Sequence, residues 1–511
     1  MEMHNWLLAK YDVSGIQSYI FATNRLQENV GASKNVGKIL KEFLKEAIRE
    51  VIGEYQGKKA VTEWEQGTEG GLPLQMEKDE SIRIETVYNG GGNAFVLFAE
   101  KELYNQVSTC LAKKVLENCR GVNLLTAWVP VKFTNFAQDI ESLNREMEKR
   151  KQRAQRHLLY AAYPVAEQDG SYGLPVTHLI TGSDGTKKAS VVQYEKWLSY
   201  EKADKGNLAV QMNDLIRKKG EDSYVAVVHI DGNGMGAMVQ KALQRYQSYH
   251  QAVPEMRNFS AQIDRRNSEA FGRTIEAVES FMDMPILPVR PLLQDGDDLT
   301  FICRADLGLC MAVRFLRELL GNSEEGMELS ACAGIAYVHS HFPFKIAYEI
   351  AESCCSNAKK RWYAQGEKQD LCCLDFQVVR GAYIRQEEQR KKEEAFLARP
   401  FLVKAEEEAG AKSLDSFLRI LDQVTANETQ GERQWPRNRL KRLYEAFHQG
   451  ETAVKGLEKE YASRGYDLCE LSGEKVFTMD SGLYDALEIM DFYDKTICDR
   501  LLGRQKTEEE A

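Results

Sequence analysis

Three aspartates stand where metal-assisted chemistry on a phosphate would need them. Asp231 follows Tyr224-Val-Ala-Val-Val-His-Ile230, a run with the apolar, β-branched make-up of a buried strand. Asp297 and Asp298 sit side by side between two apolar stretches of the segment 288–303, with Gly296 free to take a positive φ at the turn. Adjacent carboxylates repel, so such a pair suits a bound divalent cation better than a plain loop. Directly after Asp231, Gly232, Gly234 and Gly236 alternate with Asn233 and Met235. Backbone so sparsely clothed can bring N–H groups up to a triphosphate. Alone, the Asp-Gly-Asn-Gly string also suits calcium loops and ordinary turns. Joined to the downstream Asp-Asp turn, it points to two Mg²⁺ or Mn²⁺ ions acting on a nucleoside triphosphate.

For these acids to converge, the strand ending at Asp231 must lie beside the hairpin around Gly296. A β-α-β-β path does this. The pattern predicts a strand to Asp231, a helix, the hairpin, a helix over Leu307–Leu320, a strand over Leu329–His339 and a helix over Pro343–Arg361. The first part of the chain repeats that order: a strand Trp6–Val13, then Ser14-Gly-Ile-Gln17 opening a helix. A Lys/Glu-rich helix about Gly37–Tyr55, a hairpin Ile84–Phe98, a helix Glu102–Asn118 and a strand Leu124–Phe133 follow. Here Asp12 ends its strand as Asp231 does, yet the hairpin reads Gly90-Gly91-Gly92-Asn93 and carries no carboxylate. A neutral amide cannot supply the charge that holds a second metal. This half is therefore expected to lack catalysis of its own, while Gly91 and Gly92 leave open backbone for a nucleotide.

The expected fold class is α+β: two ferredoxin-like units and an α-helical C-terminal domain. The boundaries fall at 1–140, 141–222, 223–376 and 377–511. The second region holds a charged helix and a Gly/Ser/Asp-rich stretch, Glu167–Ser190, that reads as loops. From about 380 onward the chain reads as helical, with Leu414, Phe417, Leu418 and Leu421 at helical spacing, as are Leu440, Leu443, Tyr444 and Phe447.

Composition narrows the classes. The chain of 511 residues has 43% hydrophobic and 28% charged residues and a net charge of −10, which speaks against a uniformly basic nucleic-acid surface. The basic run Lys149–Arg156 reads as a solvated helix face ahead of an RNA patch. Eleven cysteines include no Cys-x-x-Cys pair, so neither a disulfide framework nor a zinc ribbon is expected. No leader is evident, and the apolar helix from Leu307 is broken by Arg314 and Arg317, so no membrane span and a cytoplasmic location are expected. His339 and His341, spaced to share a strand face, read as a polar rim ahead of a metal site, and Cys354–Cys355 as packing.

Tyr11-Asp-Val-Ser-Gly-Ile-Gln-Ser-Tyr-Ile-Phe21 resembles the opening strand of the first palm domain in the large subunit of type III CRISPR effector complexes. That family's second-palm hairpin usually reads Gly-Gly-Asp-Asp; here it is Asp295-Gly296-Asp297-Asp298. Ser330–Pro343 is similar to the strand after the metal site. Ala351–Lys360 is similar to the helix that carries a triphosphate-contacting Lys in related diguanylate cyclases, which makes Lys359 a phosphate ligand by resemblance. The likeness covers most of residues 5–376. Two departures are evident: no His-Asp dipeptide of the family's HD nuclease, and no cysteine between residues 141 and 222 for its zinc site. Single-stranded DNA cleavage is therefore not expected, and a compact stand-alone relative stays open beside the effector subunit.

What the resemblance implies is a palm-domain nucleotidyltransferase that joins ATP into cyclic oligonucleotide second messengers in antiviral defence. Asp231, Asp297 and Asp298 would be both catalytic and metal-binding. Gly232, Asn233, Gly234, Met235, Gly236, Gly296, Lys359, Gly91 and Gly92 would touch nucleotide. Guide or target RNA and effector subunits would be partners, and an oligomer stays open. The alternative is a catalytically silent nucleotide-binding or scaffold subunit.

Overall fold

A computed structural model of the chain describes residues 6–63, 73–153, 165–182, 185–217, 223–246, 248–321, 328–380, 390–391, 393–404, 412–426 and 435–504. They divide into two compact units that interleave in sequence. The first comprises 1–206, 234–265 and 292–298, and the second 207–233, 266–291 and 299–511.

The first unit is built on β1 (Leu7–Ser14), β2 (Lys59–Val61), β3 (Ile82–Gly90), β4 (Asn93–Phe98) and β5 (Asn123–Pro130), in the order β2-β3-β4-β1-β5. Its helices are α1 (Ile16–Ile20), α2 (Leu26–Lys38), α3 (Leu44–Gly53), α4 (Lys101–Asn118), α5 (Phe136–Arg153) and α6 (Val191–Glu201). A π-helical turn, Ile39–Phe43, joins α2 to α3. The unit also takes in β6 (His178–Gly182), β7 (Gly185–Ala189), α7 (Met235–Arg245) and the first half of α8 (Tyr249–Glu279). Strand β1 is buried almost throughout. Leu8, Phe95 and Leu97 share a core with Phe136, Leu143 and Met147 of α5 and with Tyr249, Val253 and Met256 of α8. One buried ion pair fixes α8 to the sheet: Arg257 Nη2 lies 3.1 Å from Glu85 Oε1, and Glu85 also accepts the Met76 N–H at 2.8 Å.

Two expectations are corrected here. The helical stretch expected from Gly37 begins at Leu26, because Asn29, Gly31 and Asn35 are poor helix formers that tertiary contact overrides. A Cβ on Gly31 would lie 1.8 Å from the Lys196 carbonyl oxygen, so α2 and α6 meet backbone to backbone and only glycine fits. The stretch Glu167–Ser190 is not all loop, since β6 and β7 pair as an antiparallel hairpin. Its short strands carry exposed Lys187 and Lys188 and lack the apolar alternation that marks a strand in sequence.

The second unit holds β8 (Tyr224–Gly232), β9 (Val289–Asp295), β10 (Asp298–Arg304), β11 (Ala331–His339), β12 (Cys372–Val378) and β13 (Phe401–Val403), ordered β13-β12-β11-β8-β10-β9. The tip of the β9–β10 hairpin, residues 292–298, belongs to the first unit. Strand β8 pairs antiparallel with β11, and β11 runs parallel to β12. The order β9-β10-β8-β11 repeats β3-β4-β1-β5, so each sheet contains the same β-α-β-β-α-β path. β13 departs from the expectation of an all-helical chain after 380; three residues are too few to give a strand pattern.

Helix α9 (Ala305–Gly321) and helix α10 (Phe344–Ala364) pack on the second sheet. A Cβ on Gly334 would fall 2.0 Å from the Ala351 carbonyl oxygen and 2.3 Å from the Cys355 nitrogen. Helix α10 thus rests directly on β11. Gly334→Ala is expected to cost about 2–3 kcal/mol by overpacking, read as a lower urea midpoint at constant m-value.

The C-terminal helices are α11 (Leu414–Thr425), α12 (Arg437–Gln449), α13 (Glu451–Ala462), α14 (Leu468–Ser472), α15 (Leu483–Ile489) and α16 (Lys495–Leu502). Leu414, Phe417, Leu418 and Leu421 are buried together on α11, as their spacing requires. Beneath them Arg399, fully buried, faces the carboxylates of Asp375 on β12 and of Asp485 and Glu488 on α15. Burial pushes Asp485 up to about 7 even though Arg399 pulls it down. Among the described residues no helix is long and apolar enough to cross a membrane.

Candidate functional site

Asp231 lies at the end of β8, opposite Cys332 of β11, with its side chain 40% exposed. Lys359, on the face of α10 that reaches over β11, places Nζ 2.6 Å from Asp231 Oδ2 and 3.0 Å from the Gly232 carbonyl. Burial works to lower the Lys359 pKa, but the Asp231 carboxylate outweighs it and holds the ammonium charged. Two residues before Asp231, His229 points to the same face of the strand and lies with Nδ1 3.0 Å from Thr300 Oγ1 of β10. Burial pushes its pKa down to about 4, opposed by Asp231 and reinforced by Lys359, so the imidazole is neutral at ordinary pH.

The glycine-rich turn divides its labour. Asn233 is fully buried; its N–H donates to the Ser330 carbonyl at 2.8 Å and its Nδ2 to Ser330 Oγ at 3.0 Å. It pins the turn, leaving Gly234, at φ +64°, to redirect the chain into α7, which opens at Met235 and Gly236. Gly232 is the last strand residue, paired with Ala331.

In the first unit, the β9–β10 turn presents Gly296 at φ +62° and Asp297 to a cavity of about 1300 Å³. Gly91, Asn93, Lys10 and Phe95 line the same cavity, together with Asn144 of α5 and Phe259 of α8. Asp298 opens β10. Asn93 is the register partner of Asp12, and Asp12 is ion-paired to Lys151 of α5 at 3.0 Å. Lys10 donates to Asn144 Oδ1 at 3.0 Å, and burial lowers its pKa against the pull of Asp12. The strand-end acid of this half is therefore neutralised by a lysine and faces an amide. The described part of the basic run is partly spoken for as well: Lys149 pairs with Glu146 and Lys151 with Asp12, while residues 154–156 lie outside the described residues.

Among the described residues, no three His, Cys, Asp or Glu side chains form a ready metal cage. Mg²⁺ needs none, since it binds through one or two carboxylates with water and phosphate oxygens completing the shell. The carboxylates of Asp231 in the second unit and of Asp297 and Asp298 in the first are each hard oxygen donors of the kind such a cation takes.

Residues 224–371 match the family model described as Cas10/Cmr2, second palm domain. That stretch is similar to a Cas10/Cmr2 second palm domain. The matched stretch contains Asp231, Asp297, Asp298 and Lys359. Among solved structures, the Csm1-Csm4 cassette in complex with cA4 is similar at a TM-score of 0.55 and 12% identity, over 96% of this chain and 70% of that one. The cassette in complex with AMPPNP gives 0.56 and 12% over 98% of this chain and 70% of that one. At that identity the likeness is one of fold. No curated protein matches the chain.

Sequence reasoning took Lys151 for part of a solvated helix face and passed over Lys10 and His229. For His229 a signal existed, since two residues before a strand-end acid puts a side chain on the same face. For Lys10 and Lys151 none did, because their partners lie far off in sequence.

Proposed function

We propose that this Cas10-like protein is a metal-dependent nucleotidyltransferase that joins nucleoside triphosphates, ATP foremost, into cyclic oligonucleotides in antiviral defence. The observation that carries the reading is the Asp231–Lys359 pair on a matched second palm domain that also contains the Asp297–Asp298 turn. Solved Csm1-Csm4 cassettes bound to cA4 and to AMPPNP support it by fold.

Asp231, Asp297 and Asp298 would hold the cations. Bound there, Mg²⁺ or Mn²⁺ would supply positive charge to the departing pyrophosphate and a lower pKa to the attacking hydroxyl. Lys359 is poised to exchange Asp231 for a triphosphate oxygen, and the backbone of Gly234, Met235 and Gly236 to approach the phosphates. The acceptor nucleotide would lie in the cavity beside Gly91, Gly92 and Asn93. Its ribose oxygen bonds to the donor α-phosphorus as the bond to pyrophosphate breaks, with positioning contributing much of the rate. An effector subunit comparable to Csm4, and guide or target RNA, are the partners this reading implies.

Purified protein incubated with each nucleoside triphosphate and Mg²⁺ or Mn²⁺ tests the proposal. Pyrophosphate release with ATP and cyclic oligoadenylate by mass analysis are expected. Nucleotide binding without pyrophosphate release would instead make the protein a silent scaffold subunit.

A further inference from the structure

We propose that Asp295 is a positioning residue that ties the turn bearing Asp297 and Asp298 to the tip of the β3–β4 hairpin. Its Oδ2 accepts the Gly92 N–H at 2.8 Å, and its Oδ1 lies 3.4 Å from Lys41 Nζ. The Gly92 carbonyl in turn accepts the Val13 N–H at 3.0 Å, so the connection continues into the end of β1 beside Asp12. Lys41 belongs to the π-helical turn, and the neighbouring Leu40 carbonyl accepts Asn89 Nδ2 at 2.8 Å. That turn therefore touches both hairpins, the β3–β4 hairpin through a backbone carbonyl and the β9–β10 hairpin through charge. Isolated π turns of this kind recur where their geometry is used.

The two tips also approach closely. A Cβ on Gly296 would lie 3.7 Å from both the Cα and the nitrogen of Gly91. Gly91, Gly92 and Gly296 all have φ near +60 to +70° (58°, 71° and 62°), a region glycine enters without steric cost. Such tips have little shape preference of their own, so a charge-assisted hydrogen bond between them sets their register. A glycine at 295 would have no group with which to make it. The kinetic side of this inference rests on the reading of Asp297 and Asp298 as cation ligands; the structural side does not.

The test uses the full chain with Asp295→Ala, Asp295→Asn and Lys41→Met, reading hydrogen exchange at residues 90–95 and the kcat and KM for ATP with Mn²⁺. Asp295→Ala should speed exchange at Gly92 about tenfold or more and lower kcat by about tenfold, with KM moved less than about threefold. Asp295→Asn keeps an oxygen for the Gly92 N–H and should stay within about threefold of wild type, as should Lys41→Met. Exchange at Gly92 unchanged in the alanine variant, or a kcat unchanged beside faster exchange, overturns the proposal. Asp295→Gly replaces alanine if that variant does not fold. Should wild type release no pyrophosphate, the transferase reading fails, and exchange at Gly92 still decides whether the tie exists.

Discussion

Replacing Asp297 and Asp298 together by alanine is expected to lower pyrophosphate release by at least about a thousandfold, because the proposed role of these residues is to hold the cations and the charge stabilisation they would bring. The same variant should melt within a few degrees of wild type. Asp297 stands on a turn lining a cavity and Asp298 only opens β10, so neither change removes apolar core. Asp231→Asn should fall comparably in rate, since an amide keeps the shape and loses the charge that holds a cation and pairs with Lys359. Turnover at the wild-type rate by the double variant in saturating Mg²⁺ would remove these residues from the mechanism.

Arg399→Ala should destabilise the second unit by about 3–5 kcal/mol, because it leaves Asp485 and Glu488 buried without that cation, while Asp375 keeps Arg390. Asp375, Asp485 and Glu488 are each at most 1% exposed, so water cannot take the place of the guanidinium. Asp485 already has its pKa raised to about 7 with Arg399 present. A raised carboxylate pKa means that its contribution to stability is full at low pH and is lost as pH rises through the folded-state value. Removing Arg399 raises it further, so lowering pH from 8 to 5 should recover part of the variant's urea midpoint. An equal loss at both pH values would show that packing, not charge, is what Arg399 provides.

The elements around the site were legible because their signals are local. The apolar run into Asp231 and the two apolar stretches flanking Gly296 needed no distant partner to be recognised, and the repeated order of elements exposed the duplication. What escaped depends on contacts across long sequence separations. Gly31 and Gly334 look like helix and strand breakers until the backbones they admit, near Lys196 and Ala351, are in view. Asp295 was visible in the sequence only as a departure from the Gly-Gly-Asp-Asp pattern. Its role depends on Gly92, more than two hundred residues earlier in the chain, which no periodicity could announce.

The interleaving of the two units also bears on how the chain is made. Glu85 meets its buried partner Arg257 only 172 residues later, and Tyr249, Val253 and Met256 complete the same core. At ribosomal speeds of about 5–20 residues per second, Glu85 waits roughly ten to thirty seconds for that arginine to be synthesised. During synthesis the first sheet must therefore persist with a buried-type acid and an uncovered apolar face until Tyr249, Val253, Met256 and Arg257 have emerged. The nascent chain, more than the finished protein, is therefore the state in which this sequence exposes aggregation-prone apolar surface.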